Sequence, residues 1–393
     1  TIDEPQYATL PFAPPQIKAH ATYSIAGKPG LVHATVMAKY KENDTDRETP
    51  VAVTPLFSVL LNPSELIRST YDDSASKVTV RVSSSVENPP GATLHLEVPR
   101  GWHSEPVAQK VEQLKRDESQ DFVFQVSQPQ HAPGNAEIQA VLASNGKQYR
   151  EGYTLVTRPD LGTAYYYQPA TQRVSLVEVK LPKDLKVAYV AGAGDDIATV
   201  LKQIGMELTL VPADKLSTED LSQFGTVVLG IRAYDTQKEV ADNNKKLLNY
   251  VSNGGTLVVQ YNADTGNFNS GHFAPYPADL SRNRVSVEEA PVEILAPSDS
   301  IFHYPNEISQ NDFSGWVQER GLNFMDQWDD HFKPLLACND PGEPPQKGGL
   351  LRAEYGKGTY IYTGYSFFRQ LPAGVPGAVR LFVNIVSAGH DGK

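Results

Sequence analysis

Gly254-Gly255-Thr256-Leu257-Val258-Val259-Gln260-Tyr261-Asn262 decides the fold class of this 393-residue chain. An apolar, partly β-branched run between a glycine pair and Tyr-Asn reads as a strand buried on both faces, the pattern of a parallel sheet rather than a half-solvated hairpin. Just upstream, Leu247, Leu248 and Val251 stripe a helix that Asn253-Gly254 closes. Thr226 to Ile231 and Glu207 to Val211 are further strands, and Ser217-Thr218-Glu219-Asp220 can cap a short helix between them. Leu185 to Val190 is the first strand of the series, followed by Ile197, Val200, Leu201 and Ile204 on one helical face. Strands alternating with helices predict right-handed crossovers and a doubly wound, mostly parallel α/β sheet covered on both faces. Downstream the chain is loop-rich until Gly349 to Tyr355 and Gly358 to Thr363, a hairpin across Gly356-Lys357. A last helix from Pro376 buries Val379, Phe382, Val383 and Val386.

Residues 16 to about 168 read differently. Val32-His33-Ala34-Thr35-Val36-Met37, Val78-Thr79-Val80-Arg81-Val82 and Asp121-Phe122-Val123-Phe124-Gln125-Val126 alternate or run apolar between Pro, Gly, Asn and Asp. That pattern predicts antiparallel strands with one buried face, and hence an all-β sandwich. The chain is too long for one average core, and Asn62-Pro63 marks a break. The expected organisation is therefore multidomain: a β-rich segment over 1–60 resembling an incomplete sandwich, a sandwich over 61–168, a connector over 169–184 and the α/β domain over 185–393.

A formal charge of -11 and a pI near 5.3 repel a phosphate backbone, and no Lys/Arg stripe interleaved with aromatics offsets them, so nucleic acid is not an expected partner. A composition 40% apolar and 21% charged excludes wholesale disorder. The single cysteine, Cys338, excludes an intrachain disulfide and a Cys-cluster metal site, and none of the nine histidines falls in metal-ligand spacing. No metal and no cofactor is expected. No apolar run approaches the ~18 residues a membrane span needs, and no signal peptide is visible. The chain opens at Thr1 without methionine, in the Pro-rich stretch Pro5 to Pro15, so a processed product or an excised fragment is expected.

Open parallel sheets bind ligands beyond the carboxyl ends of their strands, where loops diverge and helix N-termini offer free N–H groups. Asp195 and Asp196 follow the first strand, Arg232 and Tyr234 the third, and Tyr261 and Asn262 the fourth, so three loops should converge on one rim. Glu319, Arg320, Arg369 and Gln370 are further candidates to reach it, because guanidinium forks suit carboxylates and sugar hydroxyls. The competing expectation is that the same charges form internal ion pairs, such as Arg232 or Arg369 with Asp195 or Glu319, and only brace loops. Gly192-Ala193-Gly194 lacks the third glycine of a dinucleotide fingerprint, and Asp195-Asp196 would repel a pyrophosphate, so a turn with a capping carboxylate is expected there. In Gly364-Tyr365-Ser366-Phe367-Phe368, Phe368 stands where a serine elbow needs its second glycine. Cys338, beside Asn339, Asp340 and Glu343 on a Pro/Gly-rich loop, reads as a half-buried small hydrophobe with a raised pKa rather than an activated thiol. Tyr165-Tyr166-Tyr167 reads as interdomain packing in preference to a sugar-stacking surface.

Two stretches resemble known modules. Val78 to Val82, Leu94-His95-Leu96-Glu97-Val98-Pro99-Arg100-Gly101-Trp102, Phe122 to Val126 and Ala132-Pro133-Gly134 resemble the immunoglobulin-like sandwiches appended to secreted carbohydrate-processing enzymes, with Trp102 as core packing. Residues 186–389 are similar to the class I glutamine-amidotransferase-like domain at the C-terminus of large secreted PIG-L (LmbE-like) deacetylases. The likeness rests on Gly192-Ala193-Gly194-Asp195-Asp196, Gly230-Ile231-Arg232-Ala233-Tyr234, Gly254 to Asn262, Gly315 to Gly321 and Phe367 to Gly377. Together the two likenesses cover nearly the whole chain. They imply an extracytoplasmic bacterial protein and an upstream deacetylase domain, in the same polypeptide, acting on N-acetylated sugars. They also imply that Tyr261-Asn262 stands where such α/β domains carry a cysteine nucleophile, and that the His-Pro-Asp-Asp metal motif is missing because Asp195-Asp196 follows Ala-Gly. The expected role is that of a pseudoenzyme: no catalytic residue, and a strand-end crevice for a glycan or polar small molecule. The rivals are an independent hydrolase using carboxylates such as Asp195 with Glu319, and a purely structural spacer.

Overall fold

Val78, Val80 and Val82 are fully buried while Lys77 and Arg81 face solvent, so period-two alternation fixes one inner face of the Ser76–Ser84 strand. In the computed structural model this strand lies in a four-stranded antiparallel sheet ordered Phe57–Asn62, Ser76–Ser84, Ser119–Ser127, His103–Glu105. A second antiparallel sheet contains Ala108–Val111, Ala92–Glu97 and Ala136–Ser144 as neighbours, and Lys147–Tyr149 also pairs with the last of these. Trp102 is buried, its N–H bonded to the Pro99 carbonyl at 3.0 Å, as a core anchor should be. The structure describes residues 16–42, 44–129, 134–158 and 162–390; the Pro5 to Pro15 stretch and Ala132-Pro133 lie outside them.

The chain divides into two compact units, Thr1–Glu65 with Ala75–Gln128 and Glu137–Arg173, and Leu66–Ser74 with Pro129–Ala136 and Val174–Lys393. The strand Phe57–Asn62 runs across residue 60, where a boundary was expected, and the strand Thr171–Val177 occupies part of the expected 169–184 connector. Three exposed hairpins decorate the first unit: Lys18–Ile25 with Lys28–Thr35, Met37–Glu42 with Thr45–Pro50, and Glu151–Arg158 with Gly162–Pro169. In the last of these Tyr153, Tyr165 and Tyr167 share one face, with ring centroids 5.3 and 5.8 Å from Tyr153, while Tyr166 points the other way into solvent.

The second unit is built on a seven-stranded sheet ordered Leu208–Leu210, Val187–Val190, Thr226–Leu229, Thr256–Gln260, Gly358–Thr363, Leu350–Tyr355, Phe332–Pro334. The first five are mutually parallel, and the last two each pair antiparallel with the strand before them, so that only Leu350–Tyr355 runs against the rest. Alternate residues serve two cores. Val187, Tyr189, Val228, Val258 and Ile361 join the helices Ile197–Gln203 and Pro376–Ser387. Ala188, Val190, Val227, Leu229, Leu257 and Val259 join Val240, Leu247 and Val251 of the helices Lys238–Asp242 and Asn244–Ser252. Burial on both faces is why these strands carry no polar alternation.

The stretch expected to be loop holds additional strands, Ala278–Val285 against Gly321–Trp328 and Val292–Ile294 against Leu336–Cys338. Register shifts at Asp279/Leu280, Leu280/Asn283 and Asn283/Arg284 break the period-two pattern, which hides the first pair from the sequence. The chain as a whole is β-rich and multi-sheeted. Among the described residues no helix is long and apolar enough to cross a membrane.

Candidate strand-end site

The strand Val187–Val190 is followed in space by Leu208–Leu210 on one side and Thr226–Leu229 on the other, so connections diverge at its carboxyl end, the usual ligand crevice of such sheets. On the side facing Thr226–Leu229 that crevice is closed by main chain, while a cavity lined by Tyr189, Ala191, Leu210 and Gln237 remains on the Leu208–Leu210 side. Ala193 N–H donates to the Ile231 carbonyl at 2.8 Å, and a Cβ at Gly192 would lie 2.0 Å from that oxygen. Asp195 is spent internally: Oδ1 accepts from the Tyr189 hydroxyl at 2.6 Å and from Ile197 N–H at 3.1 Å, and Oδ2 from Ile231 N–H at 3.3 Å. Burial, and then the Asp195 carboxylate, push the Tyr189 phenol well above its ordinary pKa. Asp195 thus supplies the expected bond to the first turn of its helix, whereas Asp196 stays exposed and makes no capping bond.

One strand further along, the rim opens. Arg232 sits in a left-handed turn, φ 56° and ψ 28°, between the strand Thr226–Leu229 and the helix Ala233–Thr236. A side chain in that region costs on the order of 1 kcal/mol, offset here by a bond of 2.7 Å from Arg232 N–H to the Tyr261 carbonyl. The same turn brings Asp235 under the Tyr261 loop, where Oδ2 accepts from Ala263 N–H at 2.7 Å and Asp264 N–H at 3.3 Å and pairs with Arg232 Nε at 3.3 Å. Asp235 is 4% exposed and its Oδ1 is buried with no hydrogen-bond partner among the described residues. Tyr261 and Asn262 have no left-handed backbone; the left-handed strand-to-helix turn belongs to Arg232.

Tyr261 continues the rim toward the helix Phe367–Gln370. Its ring lies 5.2 Å from Phe368, and the Arg369 guanidinium sits 4.8 Å over the Phe368 ring. Burial raises the Tyr261 phenol, with Arg232 and then Arg369 opposing it. Arg369 Nε donates to Glu319 Oε1 at 2.8 Å and Nη1 to Gln318, while Arg284 Nη2 takes Glu319 Oε2 at 2.7 Å. Glu319 is thus a buried carboxylate bridging two arginines whose outer edges stay in solvent.

Four of the expected rim residues turn inward and serve packing. Tyr234 stacks on Phe273 at 4.3 Å and donates to Asn244 Oδ1 at 2.7 Å. Asn262 is fully buried, Oδ1 accepting from Tyr234 N–H at 3.0 Å and Nδ2 donating to the Gln260 carbonyl at 3.1 Å. Arg320 reaches no carboxylate: it donates to the Ala290 and Phe313 carbonyls at 2.9 and 2.6 Å over the Trp316 ring, and burial lowers its pKa. Gln370 is fully buried and clamps the Val317 N–H and carbonyl, each at 2.8 Å. Tyr234 is held by ring stacking and a side-chain partner; the physical reason is common to the other three. Polar side chains between diverging strand ends are recruited to satisfy buried backbone groups that the sheet leaves unpaired.

Cys338 is not half-buried on a loop. It ends the strand Leu336–Cys338, is 1% exposed, accepts from the Tyr365 hydroxyl at 3.3 Å, and burial pushes its thiol up to about 11. The nearby Asp340 is only the least of the causes. Ser366 is fully buried with an unpartnered Oγ, out of reach of any substrate. Sequence reasoning missed Asp235, Arg284 and Phe368; a charge three residues after Arg232 in an otherwise apolar turn was the legible signal for the first. Among the described residues no group of three or more His, Cys, Asp or Glu gathers as a metal site.

No known protein family matches the chain, and no curated protein matches it in sequence. Solved structures that align with it include a β-galactosidase from Rahnella sp. R3 at 14% identity and TM-score 0.31, covering 52% of this chain and 31% of that one. An exo-β-1,4-mannosidase from Opitutaceae bacterium strain TAV5 aligns at 12% identity and TM-score 0.32, covering 52% and 36%. WR4, a C. elegans MSP family member, aligns at 10% and 0.19, over 30% of this chain and 96% of that one. The chain thus spans about a third of the length of the two glycosidases it aligns with.

Proposed function

We propose that this chain is a non-catalytic recognition region, the accessory part of an extracytoplasmic PIG-L-type deacetylase acting on N-acetylated sugars. In this reading the second unit is a doubly wound, class I amidotransferase-like domain that has kept its frame and lost its nucleophile, and its rim holds a glycan or a polar small molecule. The observation that carries it is the chemistry of the open rim: arginine edges beside a partly exposed phenylalanine, with the thiol and the serine both buried elsewhere. Hydrogen-bond donors and acceptors beside an aromatic suit sugar hydroxyls, and nothing there can attack a carbonyl.

The hydrolase reading is disfavoured by a particular contact. Glu319, one of the two carboxylates it needs, is buried between Arg284 and Arg369, and Asp195 is bound by a tyrosine and two backbone amides. Neither is placed to exchange a proton with substrate. The test is to titrate the purified chain with N-acetylated oligosaccharides while assaying acetate release. Binding without release, weakened in Arg232→Ala and Arg369→Ala, supports the proposal; turnover abolished by either change overturns it.

A further inference from the structure

Three rim arginines stay exposed while the carboxylates they pair with are buried. Arg232, Arg284 and Arg369 are 43%, 59% and 36% exposed, whereas their counter-ions Asp235 and Glu319 are 4% exposed. Both Glu319 oxygens and Asp235 Oδ2 are already committed to those arginines and to backbone amides. The other acids close by are engaged as well: Glu288 accepts from Gln318 N–H at 2.6 Å, and Asp264 caps the helix Thr265–Gly271 through Asn267 N–H at 3.0 Å. The guanidinium edges are not exhausted. Among the described residues Arg232 uses only Nε, and Arg369 leaves Nη2 without a partner. On a chain of formal charge -11, such a cluster is a local reversal of field.

Geometry joins these edges into one strip. Arg232 N–H holds the Tyr261 carbonyl at 2.7 Å, the Tyr261 ring lies 5.2 Å from Phe368, and Phe368 lies 4.8 Å under the Arg369 guanidinium. We infer that this strip recognises a carboxylate-bearing sugar, a uronic acid residue: the carboxylate pairs with the free edge of Arg232 or Arg369, and the ring lies along Phe368. A planar carboxylate matches a guanidinium fork in two parallel bonds, which a single hydroxyl of a neutral sugar does not.

This inference rests on the glycan-binding reading, and the experiment separates the two. The intact chain is titrated calorimetrically with a uronic-acid oligosaccharide and with its carboxyl-reduced, neutral counterpart, for wild type, Arg232→Gln and Arg369→Gln, with melting temperatures recorded in parallel. The expected result is about tenfold or greater preference for the acidic ligand, weakening with salt, and largely lost in at least one of the two variants. Because the ligand pair differs only at the carboxyl group, the wild-type comparison stands even if a variant fails to fold. Equal affinity for both ligands, or a preference untouched by both changes in folded protein, overturns the uronate assignment and leaves glycan binding intact. Binding of neither ligand removes the glycan reading, and with it this inference.

Discussion

Replacing Gln370 by leucine removes a clamp whose strength can be worked out from its contacts. The side chain is fully buried and makes three bonds to the Val317–Arg320 segment: from Val317 N–H, to the Val317 carbonyl, and to the Glu319 carbonyl at 3.3 Å. Leucine fills nearly the same volume, so cavity formation is a minor term and the loss is that of the bonds. At about 1 kcal/mol net each, the change costs about 3 kcal/mol. Val317 is only half-buried and can recover water, which keeps the cost from rising further. For a unit of this size each kcal/mol moves melting by about 2–4 °C, so differential scanning calorimetry should show a fall of about 6–12 °C in one transition. Hydrogen exchange should rise in peptides spanning 313–320, because the Val317 amide loses its acceptor. A shift under about 2 °C with unchanged exchange would refute the claim that Gln370 is a structural clamp and return it to the pool of ligand contacts.

Gly192→Ala should cost about 2–4 kcal/mol in urea denaturation, since the new methyl meets the Ile231 carbonyl at 2.0 Å and neither partner is a movable side chain. Gly194→Ala, at φ +93° but in open space, should cost only about 1 kcal/mol, and equal losses would contradict a main-chain closure at this point. The Cys338 thiol should resist alkylation in the native chain at pH 8 and react once urea unfolds it; stoichiometric labelling of folded protein would contradict its burial. The same burial sets an alkaline limit. The thiol, raised from its ordinary 9 to about 11, and phenols such as Tyr189, Tyr234 and Tyr365, raised well above 10, hold their protons longer in the folded state. Their stabilisation is complete below about pH 9 and is lost as pH climbs above it. Melting temperatures that stay flat from pH 9 to 11 would count against these shifts.

The parallel strands were readable because double-sided burial leaves a plain signature: Thr226–Leu229 and Thr256–Gln260 are short apolar runs closed by glycines or turn residues. The order of loops along the rim was readable for the same reason. What the residues on those loops face was not. Tyr234 follows Arg232 by two positions, yet one turns into the core and the other into solvent, because a left-handed residue at Arg232 redirects the chain. No propensity scale anticipates that conformation at arginine. Of the two expectations for Asp195 and Glu319, the internal pairing of Arg369 with Glu319 is present, whereas the partners Tyr189 and Arg284 were not anticipated from the sequence. Arg369 braces Glu319 with one edge of its guanidinium and keeps another in solvent.

The backbone closure at Gly192 and Ile231 limits what this scaffold can become. Side chains that plug a notch can be trimmed one at a time, but carbonyls and amides cannot be mutated away. Opening a pocket between those two strands would mean rebuilding a loop by insertion or deletion, since neither partner in the contact is a side chain.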